Sequence, residues 1–163
     1  MKEGKLQIYC GNGKGKTTAA IGQAIREASK GRSVFIVQFL KGKQEEEISF
    51  IKRLEPEIKL FRFQKREEAF ENLTEQEKEE EIPNLKNGLN FARKVLATGE
   101  CDVLILDEVL GLPEREIATL EELHSLLEAA ENTDLIFTGI RLYPEMLEWA
   151  DEVYEISVLK GSE

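Results

Sequence analysis

The stretch Tyr9-Cys10-Gly11-Asn12-Gly13-Lys14-Gly15-Lys16-Thr17-Thr18 restricts this chain more than any other, because it joins an apolar run of strand character to a segment of helical periodicity. Glycine at positions 11, 13 and 15 frees the backbone to curl so that successive N–H groups converge on one anion. The helix that follows presents its partly positive N-terminus to the same point. Such a loop binds phosphate, with Lys16 reaching terminal phosphate oxygens and the Thr17 hydroxyl ligating Mg²⁺. Gly15-Lys16-Thr17 fits the end of the G-x-x-x-x-G-K-[ST] pattern, whereas Cys10 stands where its first glycine would be. The alternative is a Gly-rich surface turn ahead of a helix; the strand before and the helix after favour a nucleotide triphosphate.

Leu6 to Cys10 is the strand that enters the loop. Beyond it Ala20, Ile21, Ala24, Ile25 and Ala28 recur at helical spacing, and Gly31 is placed to end that helix. Ser33 to Leu40 is rich in β-branched and aromatic residues without strict alternation, the pattern of a strand covered on both faces. Strand, helix and strand in this order make a βαβ unit, which requires a parallel sheet and a right-handed crossover. Gln44 to Leu54 reads as a short exposed helix with Ile48, Ile51 and Leu54 on one side, and Ile58 to Phe63 as a short edge strand. Gln64 to Glu81 is heavily charged, with Phe70 and Leu73 as its large apolar residues, and is expected to be mobile; within it Glu75 to Glu81 reads as a solvated helix face. Leu85, Leu89, Ala92 and Leu96 predict a helix from Pro83 to near Gly99.

Val103 to Leu106 is an apolar strand that terminates in Asp107-Glu108. Downstream of a phosphate loop this is the expected second half of a nucleotide site: Asp107 accepts from Mg²⁺-bound water or from the loop hydroxyl, and Glu108 ligates metal or orients a nucleophile. Alone it would more readily be the polar end of a core strand meeting solvent; the pairing with the phosphate loop favours the nucleotide site. Thr119-x-x-Glu122 is a capping-box signature ahead of a helix with Leu120, Leu123, Leu127 and Ala130 on its buried side. His124 in that helix reads as a surface or packing residue. Asp134 to Gly139 is another core strand, Pro144 to Ala150 a short helix, and Val153 to Leu159 a last strand. Ligands in open α/β sheets gather at the carboxyl ends of the strands, where Gly11 to Thr18, Gln38 to Gly42, Asp107-Glu108 and Thr138 to Arg141 all fall.

A length of 163 residues suits one domain, and no Pro/Gly/Ser-rich linker divides it. The net charge of −10 argues against non-specific affinity for nucleic acid or an anionic membrane, so a small anionic ligand must be held by a local constellation. Cys10 and Cys101 form no metal or redox motif and read as free thiols in a reducing cytoplasm. The N-terminus lacks the apolar core of a signal peptide, and no apolar run is long enough to span a bilayer.

Three segments together resemble the bacterial ATP:corrinoid adenosyltransferases: Gly11-Asn12-Gly13-Lys14-Gly15-Lys16-Thr17-Thr18-Ala19-Ala20, then Val37-Gln38-Phe39-Leu40-Lys41-Gly42, then Leu104-Ile105-Leu106-Asp107-Glu108. That family's loop reads GNGKGKTT after a residue other than glycine, which accounts for Cys10. Ala150-Asp151, with Val153 and Glu155 beyond, is similar to its "ADxVxE" near the C-terminus. The resemblance implies a RecA-like P-loop fold, an α/β arrangement with a mainly parallel sheet of five to six strands and helices on both faces. It also implies a homodimer, ATP as co-substrate, Mg²⁺, and a corrinoid acceptor reduced with the help of a flavoprotein. The implied reaction is attack of Co(I) on the 5′ carbon of ATP, with inorganic triphosphate leaving. Carried over by position, Gly11 to Thr18 with Gln38, Lys41, Gly42 and Arg141 would hold ATP, Thr17, Asp107 and Glu108 the metal, and Lys16 and Glu108 would be catalytic; Lys14 reads equally as a solvated loop charge, and Gln38 and Lys41 as residues that close a strand. The family's "TGR" is here Thr138-Gly139-Ile140, with Arg141 one place late. Lys43 to Glu100 carries no counterpart of the family's aromatic residues beside the corrinoid; Phe61, Phe63, Phe70 and Phe91 are candidates, with ordinary core packing the favoured reading for each, as for Trp149.

Two other functions fit the residues: a RecA-like ATPase or phosphotransferase in which Glu108 positions water or an acceptor hydroxyl, and a non-catalytic nucleotide-binding module whose Glu-rich middle section engages a protein. They differ in what becomes of ATP.

Overall fold

Parallel strands must be buried on both faces, and the apolar runs of this chain divide their side chains between two cores. The computed structural model describes residues 4–43 and 45–161, the side chains of Glu45 and Ile48 excepted. Its strands are β1 (Leu6–Cys10), β2 (Val34–Gln38), β3 (Ile58–Arg62), β4 (Val103–Asp107), β5 (Asp134–Thr138) and β6 (Glu152–Glu155). Helices α1 (Lys16–Ser29), α2 (Glu45–Lys52), α3 (Glu75–Thr98), α4 (Leu120–Ala129) and α5 (Met146–Trp149) connect them. All pairings are parallel, in one six-stranded sheet of order β3-β2-β4-β5-β1-β6.

On one face Leu6, Ile8, Leu104, Leu106 and Phe137 pack with Leu85, Leu89 and Ala92 of α3 and Leu123 and Leu127 of α4. On the other, Val34, Ile36, Val103, Ile105 and Ile136 pack with Ala20 and Ala24 of α1 and Ile51 of α2. At about 1.5–3 kcal/mol for each fully buried aliphatic side chain, these two layers dominate the stability of the sheet. The described residues contain no helix long and apolar enough to cross a membrane.

Element types and order agree with the sequence reading, and β3 lies at an edge as expected; the boundaries differ for physical reasons. Gln44, taken as the start of α2, lies outside the described residues, and α2 runs from Glu45. β2 ends at Gln38 rather than Leu40: Phe39 still donates to the Asp107 carbonyl at 2.9 Å, but Leu40 has φ 66 and turns the chain away. The last strand spans Glu152–Glu155 rather than Val153 to Leu159, because the chain leaves the sheet at Ile156, whose carbonyl accepts from the Gly13 N–H at 2.9 Å.

The segment from Gln64 to Glu81, expected to be mobile, is instead tied down. α3 begins at Glu75, well before Pro83, because Thr74 and Glu77 form a reciprocal capping box. Pro83 is accommodated inside the 24-residue helix on its exposed side. Glu81 is not solvated but fully buried. Its carboxylate accepts from the backbone N–H groups of Lys65 and Arg66, each at 3.0 Å, from Asn84 at 2.9 Å and from the Arg66 guanidinium at 3.2 Å. Burial by itself raises the Glu81 pKa, but these donors more than offset it and hold the carboxyl below its ordinary value.

Loss of this anchor is therefore expected to loosen the loop after β3. Glu81→Gln, which keeps the shape but not the charge, is expected to lower stability by about 2 kcal/mol in urea unfolding at pH 7. Because the folded-state pKa is depressed, the contribution is present above the unfolded carboxylate value of about 4.3 and is lost as pH falls through the folded value. The difference between wild type and variant should thus close in acid.

Candidate active site

The strand order places β5 between β1 and β4, so the loop after β1 and the acid at the end of β4 face each other across the end of β5. Gly11 and Gly15 adopt φ 110 and 109, which side chains with a Cβ rarely take, and a Cβ on Gly13 would sit 2.9 Å from the Ile156 carbonyl oxygen. Cys10 is the last residue of β1 with its side chain in the core, so this position does not call for glycine. Two loop amides are committed to the fold: Gly11 N–H donates to the Ile140 carbonyl at 3.0 Å and Gly13 N–H to that of Ile156. The expectation that the Gly13 amide faces phosphate is corrected accordingly. The amides available to an anion are those from Lys14 into the first turn of α1, which have no intrahelical carbonyl to bond. Lys16 folds back and donates to the Gly13 carbonyl at 2.8 Å.

Asp107 is fully buried, and its side-chain partners come from other elements: the start of α1, strands β2 and β5, and the turn after β2. Its Oδ1 accepts from Thr17 Oγ1 at 2.9 Å and from Thr138 Oγ1 at 2.6 Å. Its Oδ2 lies 3.2 Å from Lys41 Nζ and 3.4 Å from Gln38 Nε2. Lys41 Nζ also donates to Thr17 Oγ1, closing a ring of Lys41, Thr17 and Asp107. Glu108 turns the chain with φ 65, and its N–H donates to Thr138 Oγ1 at 2.8 Å. Burial, and next the neighbouring Asp107 charge, raise the Glu108 pKa; Lys41, Lys16 and Arg115 oppose them.

Lys14 to Thr18 form one wall of a recess of about 370 Å³, with Lys41, Glu47 and Glu108 around the rest. The structure thus brings together Lys14, Gly15, Lys16, Thr17, Thr18, Lys41 and Glu108 on one surface, with Asp107 and Gln38 directly behind it. Asn12 is exposed on the loop, and Gly42 packs against the backbone of Ala69 and Glu67. Arg141 is not among the residues lining the recess: it is exposed, with its guanidinium 4.6 Å from the centre of the Tyr143 ring and 3.9 Å from Glu114.

Phe61 and Phe91 meet at a tilt with centroids 4.6 Å apart, Phe63 joins Phe91 at 5.4 Å, and all three pack on the core, where Phe70 is itself buried. Trp149 packs against His124. Burial pushes the Cys101 thiol up to about 12, and burial followed by the Glu155 charge raises that of Cys10, so neither is poised as a nucleophile. The sequence reading gave no role to Thr138, although its place before a glycine at a strand end was legible. Its hydroxyl donates to the acid and accepts from the next residue's amide. Thr138→Val preserves shape but leaves Asp107 one donor short and the Glu108 N–H without its acceptor. It is expected to cost about 2 kcal/mol in denaturant unfolding and to weaken ATP binding in a nucleotide titration.

A model of the family described as ATP:corrinoid adenosyltransferase BtuR/CobO/CobP matches residues 2–162. The corrinoid adenosyltransferase of Escherichia coli (strain K12) is 32% identical over 160 residues, covering 98% of this chain and 79% of the relative. Corrinoid adenosyltransferase CobA of Salmonella typhimurium is 31% identical over the same shares. Among solved structures, the KaiC-like protein PH0186 from Pyrococcus horikoshii OT3 superposes with a TM-score of 0.64 at 17% identity, covering 99% of this chain and 75% of that one. The fold is RecA-like, of the P-loop class, and with the family model matched over nearly its whole length this chain belongs to the ATP:corrinoid adenosyltransferases.

Proposed function

We propose that this protein transfers the 5′-deoxyadenosyl group of ATP to the cobalt of a reduced corrinoid and releases inorganic triphosphate. The observation that carries the reading is the junction of phosphate loop and buried acid, with Thr17 bonded to Asp107 at 2.9 Å, in a chain matched by the family model from residue 2 to 162. The Co(I) centre supplies the electron pair for the new cobalt–carbon bond. The C5′–oxygen bond breaks, its pair departs with triphosphate, and cobalt ends as Co(III). The nucleophile carries no proton, so no general base is required, in keeping with a His124 that lies on α4 against Trp149.

The work left to the protein is to hold the triphosphate and to meet the charge that grows on its departing oxygen. Lys14, Lys16, Thr18 and the free amides of the first turn of α1 do this as preorganised donors. The donors Thr17, Asp107 and Glu108 are hard oxygens and suit Mg²⁺. Thr17, Asp107 and Glu108 would hold the cation together with phosphate oxygens of the nucleotide. When bound, Mg²⁺ supplies Lewis-acid neutralisation of the triphosphate. Gln38 and Lys41 orient the buried acid, while Arg141 would have to leave Tyr143 to reach the nucleotide. We further infer one domain acting as a homodimer in the cytoplasm, with a flavoprotein reducing the corrinoid; the two buried free thiols support a reducing compartment.

The raised carboxyl of Glu108 beside the same recess favours a second reading, hydrolysis or phosphoryl transfer. Anaerobic incubation with ATP, Mg²⁺ and a chemically reduced corrinoid separates the two: adenosylcorrinoid with triphosphate supports the transfer, and ADP as sole nucleotide product overturns it. Lys16→Ala is expected to lower kcat/KM for adenosyl transfer by about 10²-fold or more, with the fold intact by circular dichroism. If the charged form of Glu108 is used, the acid limb of the kcat/KM profile should lie above the ordinary Glu value of about 4.3, because the pKa is raised, and Glu108→Gln should remove that limb.

A further inference from the structure

We propose that Lys41 is an internal cation of the nucleotide site, its ammonium competing with a divalent cation for Thr17 and Asp107, so that metal–nucleotide binding is an exchange of one cation for another. The inference rests on the reading of Thr17 and Asp107 as metal-facing.

Charge sets the two cations against each other. Thr17 Oγ1 donates its proton to Asp107 Oδ1 and accepts from Lys41 Nζ on one of its two lone pairs, so a metal on the other would lie against the ammonium and be repelled by it. Asp107 Oδ2, the carboxylate oxygen without a hydroxyl partner, is also the one 3.2 Å from the ammonium. Two hard oxygen atoms therefore face one positive charge, as they would face a cation. A fully buried carboxylate is stabilised by a nearby counter-charge, and Lys41 supplies one to Asp107.

Lys41 is also aimed. The preceding Leu40 holds φ 66, a conformation that a residue with a Cβ keeps only where its surroundings enforce it. The enforcement comes from the loop after β3. Phe70 N–H donates to the Leu40 carbonyl at 2.9 Å, Arg62 to the Lys41 carbonyl, and Lys43 N–H to the Glu67 carbonyl at 2.6 Å. That loop is anchored in turn on buried Glu81 through the amides of Lys65 and Arg66. The side chain of Lys41 nonetheless retains 28% exposure and lies on the wall of the phosphate recess, so its ammonium has a way out toward the polyphosphate when a metal takes its place.

The test is Mn²⁺ binding to the full-length protein without nucleotide, followed by the electron paramagnetic resonance signal of the free ion. Lys41→Met is expected to bind Mn²⁺ at least tenfold more tightly than wild type, with the gain abolished by adding Asp107→Asn. Its melting temperature, depressed in chelator, should recover with Mn²⁺ far more than that of wild type. Lys41→Gln, which keeps a neutral donor, serves if Lys41→Met does not fold. Affinity in the folded variant equal to or below that of wild type overturns the exchange. The underlying metal reading is judged separately: if Asp107→Asn binds Mn²⁺–ATP as tightly as wild type, that reading fails, whereas a clear loss there with unchanged Lys41-variant affinity refutes only the role of Lys41.

Discussion

The buried carboxylate of Asp107 is the constraint from which the rest of the site follows. A carboxylate with no exposure stays charged only if donors and a counter-charge surround it, and here they arrive from four directions: Thr17 from the phosphate loop, Thr138 from β5, Gln38 from β2 and Lys41 from the turn beyond it. Satisfying one acid therefore pins the carboxyl ends of three neighbouring strands to the start of α1. The same contacts that stabilise the fold shape the recess proposed to hold the triphosphate.

The loop itself is held by commitments that leave part of it available. The amides of Gly11 and Gly13 are bonded to the carbonyls of Ile140 and Ile156, so the chain after β5 and the chain after β6 both brace it. What remains available to an anion is the first turn of α1, with exposed Lys14 beside it and Lys16 turned back onto the Gly13 carbonyl, a positive focus in a protein whose net charge is −10. That local reversal of sign explains how an acidic protein can hold a polyanion, and it matches a reaction in which triphosphate is the leaving group.

A second scaffold stands behind the first. The loop from Gln64 to Phe70 has little apolar content, and it is ordered by polar groups: Glu81 accepts two of its backbone amides, and it in turn clamps the turn that carries Lys41. This is why the segment was opaque in the sequence. A run of glutamates on a helix reads as solvated, and nothing local distinguishes Glu81 from Glu79 or Glu80; only the return of the chain over that face buries one of them. Thr138 was hidden for a related reason, since its hydroxyl acquires a role only when β5 is inserted between β1 and β4.

By itself the sequence determined the α/β class, the order of strands and helices, the phosphate loop and the acid that partners it. Those features rest on short-range patterns: apolar runs long enough for a buried strand, helical periodicity, glycines where the backbone must curl. It also carried the family resemblance, because the loop, the second-strand motif and Asp107-Glu108 are contiguous segments. The tertiary structure alone decided which loop amides remain free, that Lys41 closes onto Thr17 and Asp107, that Arg141 rests on Tyr143 away from the recess, and that Glu81 is an anchor. Each of these depends on contacts between residues far apart in the chain, whose free energy comes from burial and hydrogen-bond satisfaction that only the assembled sheet imposes.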